Sequence, residues 1–217
     1  MLDSYEALIP EYISKEDFFR FGLEKTIYIP DSKVKEEWKN LKEKIRSNKP
    51  VYMRGLKDAG ANQLFYEFYA KVFNNEQVKK DPSNTQNPAK VIEDLTGLKK
   101  SKDLRNYQLA SIFGKSRNIL AFTAPWNIVY IPNIIDPLMG ADARGDLATE
   151  YQQLFLEHSY NKFKPFIDEF NDMLTNGHFL RTIDEHMKKL YDNSMHKKDA
   201  LEKFETIMRE ELSPIEV

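Results

Sequence analysis

The sequence predicts an α+β protein that is mostly helical, with a small β-hairpin or ββα unit in the middle of the chain. Two observations predict this fold class. Apolar residues recur at helical spacing through most of the 217 residues. Residues 106–138 break that pattern with a β-branched and aromatic stretch that Gly and Pro interrupt. The 14 Phe, 11 Tyr and 2 Trp supply enough apolar surface for a core, so the composition is not that of a disordered chain.

Before residue 106, helical patterns alternate with short extended segments. Ser14 is a helix N-cap candidate, since its hydroxyl can accept from a free N–H of the first turn. Gly97 is a typical helix end, and Pro88 fits the first position of the helix before it. We expect helices at 14–21, 32–45, 61–74 and 88–96, strands at 26–29 and 50–54, and a polar loop at 79–87.

After residue 106, the predicted order is β–β–α. Residues 107–113 and 119–122 are strand-like, and 126–131 form a strand or an extended buried segment. A helix is expected from about residue 141, with a bend at Pro165 in the pattern at 147–173. Two further helices are predicted at 178–193 and 197–211.

Composition excludes several classes of function. The net charge of −2 gives no overall attraction to nucleic acid or to an anionic membrane, so any nucleic-acid role requires a local basic patch. The absence of Cys excludes disulfides, Cys-based zinc sites and a Cys nucleophile. The acidic N-terminus lacks the pattern of a signal peptide, and no apolar run is long enough to span a membrane. We therefore expect a cytoplasmic location and no membrane partner.

Two charged clusters each allow a purely structural interpretation and a functional one. The run at 99–105 is either a solvated loop or a phosphate-contacting patch. Asp142, Asp146 and Glu150 recur every four residues, so on one helix they would form an acidic stripe. Such a stripe can hold Mg²⁺ through carboxylate oxygens, or it can simply be the acidic first turn that the helix dipole favours.

The segment 106–145 resembles the ββα-metal, or HNH, nuclease motif in its element order and spacing. It is similar to a group of bacterial HNH-like proteins classed with restriction-type endonucleases, and residues 65–97 resemble the lead-in of that group. The resemblance covers about residues 60–150. We expect three regions in one compact unit, namely a helix and strand region at 1–60, the HNH-like core at 61–150, and a helical region at 151–217. A competing interpretation is that 119–132 is only a buried strand and turn.

The resemblance also implies roles for particular residues. In an HNH site one histidine is the general base, an asparagine orients it, and a second histidine helps to hold a divalent metal. Ser111 stands at the base position, Asn127 at the asparagine position and Ala141 at the metal position, with Asp142 beside it as an alternative oxygen ligand. Both histidines are missing, so the resemblance implies impaired catalysis, with Mg²⁺ or another divalent metal as cofactor if the site is active and none if it is not.

Two functions follow as hypotheses. The first is an HNH-like, endonuclease-related protein that binds double-stranded DNA, with a homodimer as a candidate assembly. Its phosphate contacts are expected from the basic residues flanking the motif: Lys99, Lys100, Lys102, Arg105, Lys115 and Arg117. The second is a non-enzymatic interaction protein, associated with defence or encoded by a phage, which uses the nuclease-like core as a scaffold for a protein partner.

Overall fold

The computed structural model describes residues 4–9, 11–140, 142–193 and 197–217. The chain is 58% helical with a few strands in small sheets, which confirms the predicted α+β class. The elements before residue 106 are α1 (Ser4–Leu8), α2 (Lys15–Lys25), β1 (Ile27–Tyr28), α3 (Asp31–Arg46), β2 (Val51–Met53), α4 (Ala59–Val72), β3 (Val78–Lys80) and α5 (Gln86–Thr96). They are followed by β4 (Tyr107–Ser111), β5 (Ile128–Pro132), α6 (Asp136–Met139), α7 (Asp146–Thr175), α8 (Gly177–Asn193) and α9 (Lys198–Glu211).

Two small sheets organise the helices. β5 is the central strand of a three-stranded antiparallel sheet, with β1 on one side and β4 on the other. β2 and β3 form a separate parallel pair. All five residues of β5 are buried, because helices and neighbouring strands cover both of its faces. This burial explains why β5 reads in the sequence as a continuous apolar run rather than an alternating one.

Trp126 lies where the N-terminal, middle and C-terminal parts of the chain meet. Its ring contacts Trp38 of α3 edge-on at 5.6 Å between centroids, and Phe170 of α7 at 5.2 Å. The indole N–H of Trp38 donates to Glu169 of α7 at 2.7 Å. Edge-to-face aromatic pairs of this kind add to the stabilisation that buried area provides. One continuous core therefore contains side chains from each of the three predicted regions.

Three predictions about local structure are wrong. Residues 119–122 form turns, not a strand, because the side chain and carbonyl of Asn118 accept from the backbone N–H groups that follow it. The polar loop at 79–87 begins within β3, which pairs with β2 despite its two exposed lysines. The helix α5 begins at Gln86, before Pro88, because buried Asp81 accepts from the N–H groups of Gln86 and Asn87.

The predicted start of α2 and end of α5 agree with the structure, whereas the helix expected from about residue 141 begins at Asp146. Ser14 caps α2 by accepting from the N–H of Asp17 at 3.1 Å. Gly97 ends α5 in the left-handed conformation, with φ of 77°. The pattern at 147–173 forms one helix of 30 residues that contains Pro165. Within the described ranges, no helix is both long and apolar enough to cross a membrane.

His186 of α8 is a half-buried titratable group in the packing between α8 and α4. Its ring lies 5.9 Å from that of Phe68, and its Nε2 atom is buried without a hydrogen-bond partner among the described residues. Burial lowers the pKa of His186, nearby Lys71 lowers it further, and Glu67 opposes them. The folded protein therefore favours the neutral ring more strongly than the unfolded chain does.

This difference predicts a pH dependence of stability. Below about pH 6.5 the unfolded chain binds a proton at His186 more readily than the folded protein, so the free energy of unfolding should fall as the pH falls. We expect His186→Leu to lose less stability than the natural protein between about pH 7.5 and about pH 5.5 in urea titrations. The control variant His178→Leu, at an exposed histidine, should keep the natural pH dependence. Equal pH dependence in the natural protein and His186→Leu would contradict the prediction.

Candidate functional site

The predicted β-hairpin is present, with Ser111 at the end of its first strand and Asn127 directly before its second. β4 and β5 pair antiparallel, with Tyr107 opposite Pro132 and Ser111 opposite Ile128. The connection between them, residues 112–127, is irregular and largely buried. Irregular backbone that is buried needs hydrogen-bond partners for its N–H and C=O groups. The functional question is therefore which side chains supply those partners.

Asn127 supplies three of them. Its side chain is fully buried, and its amide nitrogen donates to the carbonyls of Gly114 and Ala121, each at 3.0 Å. Its amide oxygen accepts from the N–H of Phe113 at 2.9 Å. The backbone carbonyl of Asn127 also accepts from the N–H of Ile112 at 2.9 Å. The side-chain amide therefore holds the connection in place, and both of its ends are occupied by backbone groups.

Ser111 meets Asn127 at the carbonyl of Gly114. The hydroxyl of Ser111 donates to that carbonyl at 2.8 Å, so one oxygen accepts from both predicted site residues. Gly114 has φ of 66°, a conformation that side-chain-bearing residues adopt at a steric cost. The structure thus brings two predicted catalytic residues together, but around a backbone turn. In this geometry the Ser111 hydroxyl is a donor and offers no basic group to a water molecule.

The predicted metal position differs from the expectation. Ala141 lies outside the described residues. Asp142 is exposed in a turn after α6, and α7 begins only at Asp146. The prediction that Asp142, Asp146 and Glu150 form a stripe on one helix is therefore wrong, and Glu150 instead pairs with Lys15 at 2.8 Å. Over the described ranges, no group of three or more His, Asp or Glu side chains is arranged to hold a metal ion.

Lys115 points inward, to the end of α9. Its ammonium donates to the carbonyl of Glu210 and to the hydroxyl of Ser213, each at 2.6 Å. A cation is favoured there because the last carbonyls of a helix carry partial negative charge. Burial lowers the pKa of Lys115, and the carboxylates of Glu211 and Glu210 oppose that shift. A phosphate contact by Lys115 would require it to leave these partners.

Arg117 also binds α9. Its guanidinium pairs with Glu211 at 3.0 Å, and its backbone N–H donates to the same carboxylate at 3.0 Å. Burial raises the pKa of Glu211, while the bonds from Arg117 act against that rise. The sequence carries a signal for this contact. Glu211 follows Leu201, Phe204 and Met208 on the apolar face of α9, and a carboxylate on a buried face needs a cationic partner.

The other four residues predicted to contact phosphate lie in a solvent-exposed turn between α5 and β4. Lys99, Lys100, Lys102 and Arg105 are all exposed. Asp103 folds the turn by accepting from the backbone N–H of Lys99 at 2.9 Å. The ammonium of Lys100 donates to Gln108 of β4 at 3.0 Å. None of these four side chains pairs with a carboxylate in the described part of the chain. We call this segment, residues 99–105, the basic turn.

Comparisons with known proteins cover nearly the whole chain. Residues 29–217 match a protein family described as "Uncharacterised protein PM1201". A protein of that description from Pasteurella multocida (strain Pm70) is 34% identical over 206 residues, which cover 94% of this chain and 92% of its own length. No solved structure matches. The matched range includes Asn127, Ser111 and the basic turn.

The contacts of Asn127 predict a large effect on stability. Asn127→Ala removes three hydrogen bonds and leaves buried backbone groups without partners, so we expect a loss of at least about 3 kcal/mol in the free energy of unfolding. Asn133→Ala, at an exposed asparagine in the turn after β5, is the matched control and should change stability by less than about 0.5 kcal/mol. Chemical denaturation measures both variants. Similar losses in the two would show that Asn127 does not hold the connection.

Proposed function

The chain belongs to the family described as "Uncharacterised protein PM1201", and we propose that it is an HNH-like, endonuclease-related protein that binds double-stranded DNA with impaired catalysis. The single observation that carries the proposal is the basic turn, in which four exposed cations lack carboxylate partners among the described residues. Two features support the proposal. The segment is positively charged, and it directly precedes the hairpin of β4 and β5.

Phosphate binding is the chemistry that the basic turn suits. Lysine and arginine side chains that neutralise phosphates release condensed counterions from the duplex, which drives binding at low salt. With a net charge of −2, the chain as a whole does not attract DNA, so the attraction would be local to this turn. β4 follows the turn directly and is bonded to buried β5, so the cations are attached to a rigid support.

The hydrogen bonds of the motif residues support impaired catalysis. The amide of Asn127 is occupied at both ends by backbone groups, and the hydroxyl of Ser111 is directed at the Gly114 carbonyl. In this arrangement neither residue is available to orient or deprotonate an attacking water. Mg²⁺ or another divalent metal would then have no catalytic role. The cysteine-free sequence fits a cytoplasmic setting, and a homodimer would present two basic turns to one duplex.

A protein partner is the second candidate function, and one surface favours it. An apolar groove of about 590 Å³ lies between α4 and α9. Leu56, Ala61 and Ile207, which are partly exposed, contribute to its walls. Exposed apolar surface of this kind is found at protein interfaces more often than on DNA-binding faces. The two functions use different faces, so a pull-down that returns protein instead of nucleic acid would favour this second candidate.

Neutralising the basic turn tests the DNA-binding proposal. We expect the quadruple variant Lys99→Gln, Lys100→Gln, Lys102→Gln and Arg105→Gln to lose most of its affinity for a short duplex in fluorescence anisotropy at low salt. If all four contact phosphates, the slope of log K against log salt should become shallower by about 3 to 4.

The control for this experiment has the same change in charge elsewhere. Lys35→Gln, Lys39→Gln, Lys188→Gln and Lys189→Gln alter exposed lysines on α3 and α8 and should leave the salt slope unchanged. Failure of the natural protein to bind the duplex at low salt would refute DNA binding. Equal weakening by the two quadruple variants would refute the basic turn as the site. Metal-dependent cleavage of plasmid DNA would refute impaired catalysis.

A further inference from the structure

A groove that combines apolar, polar and charged side chains lies between α3, β2 and α5. It has a volume of about 410 Å³, within the range of small-molecule pockets. Leu41, Val51 and Val91 contribute apolar surface, and charged side chains of α3 and α5 lie beside them. The basic turn does not line it. Any ligand here would therefore be independent of DNA binding.

Thr123 lines the groove and is more than nine-tenths buried, with 8% of its surface exposed. Its side-chain hydroxyl has no hydrogen-bond partner among the described residues. A hydroxyl that no protein group occupies can donate to a ligand or accept from it. Thr123 belongs to the buried connection before β5, so the core fixes its position.

Asn87 presents a second polar group with a fixed orientation. Its amide nitrogen donates to buried Asp81 at 2.7 Å, and its backbone N–H donates to the same carboxylate at 2.8 Å. Burial alone would raise the pKa of Asp81, but the hydrogen bonds from Asn87, Gln86 and Ser83 outweigh it and lower the pKa. The ionised carboxylate thus holds the amide nitrogen of Asn87. Its amide oxygen has no partner in the described part of the chain and can accept from a ligand.

The charges around the groove balance. Lys44 pairs with Glu37 at 3.4 Å on the α3 side. Lys90 and Asp94 lie one helical turn apart on α5, both exposed, and form no ion pair with each other or with another described residue. One unpaired cation and one unpaired anion on the same wall are complementary to a ligand that carries an anion and a cation a few ångströms apart.

We propose that this groove binds a small amino-acid-type zwitterion. Its carboxylate would pair with Lys90 and its ammonium with Asp94, while a hydrogen-bonding side chain reaches Thr123 and Asn87. The apolar surface of Leu41 and Val91 would contact the ligand's methylene groups. A doubly charged anion such as a nucleotide is disfavoured, because Glu37 and Asp94 would repel it.

Titration with free amino acids, one at a time at millimolar concentration, tests the proposal on the full chain by calorimetry and thermal shift. We expect saturable binding of at least one amino acid with an amide or hydroxyl side chain, and weaker binding of valine and leucine. Thr123→Val keeps the shape of the side chain but removes the hydroxyl, so affinity should fall about tenfold. Lys90→Gln with Asp94→Asn should abolish binding.

The matched control is Lys188→Gln with Asp192→Asn, an exposed pair of the same spacing on α8, which should leave binding unchanged. No binding by any free amino acid overturns the proposal. Binding that survives in both Thr123→Val and the Lys90 and Asp94 double variant overturns the location. Binding of a nucleoside monophosphate in preference to all amino acids overturns the ligand class. DNA affinity of the same variants separates this proposal from the basic turn, because neither groove variant alters residues 99–105.

Discussion

The rest of the structure depends on the burial of one segment, which consists of the irregular chain before β5 and of β5 itself. Every residue from Asn118 to Pro132 is buried, although the first part of this segment has no regular secondary structure. Its backbone polar groups are removed from water, so other backbone groups and side chains must satisfy them. Asn127 serves both flanks of the connection, and Asn118 serves the turn within it. Apolar substitutes at these two positions would leave buried donors and acceptors unpaired.

The same segment ties the C-terminal helix to the middle of the chain. The amide of Asn118 donates to the carbonyl of Glu211 at 2.9 Å, and Lys115 and Arg117 bind the same end of α9. Lys115 and Asn118 thus satisfy two of the last carbonyls of a helix that follows about ninety residues later. Trp126 connects the segment to α3 and α7 on its other side. Positive charges beside the motif therefore serve the fold at Lys115 and Arg117, and remain available to a partner only in the basic turn.

The sequence predicted the longer helices and the hairpin, because their signals are local, but it did not predict the short helices α1 and α6. The apolar spacing of α3, the glycine after α5 and the serine before α2 each carry their own physical reason. The turns at 119–122 could not be predicted, since their β-branched and aromatic residues favour strand while Asn118 caps the backbone instead. β3 was missed because two of its three residues are lysines, and only pairing with β2 makes it a strand.

Asn127 was predicted as a catalytic residue, and in the structure its side chain bonds to backbone groups. The HNH resemblance pointed to Asn127, but no local pattern indicated that its amide would bond to Phe113, Gly114 and Ala121. Those partners depend on how residues 112–126 loop back, which is set by long-range packing. The groove at Thr123 could not be predicted from the sequence either, because α3, β2 and α5 contribute to it from distant parts of the chain.

Amide hydrogen exchange at Phe113 tests the central claim most directly, since the N–H of Phe113 donates to the side chain of Asn127. If this contact anchors the fold, that amide should exchange only through global unfolding, with an opening free energy equal to that of the N–H groups of β5. Exchange of the Phe113 amide through a local opening, at a free energy well below that of β5, would contradict the account.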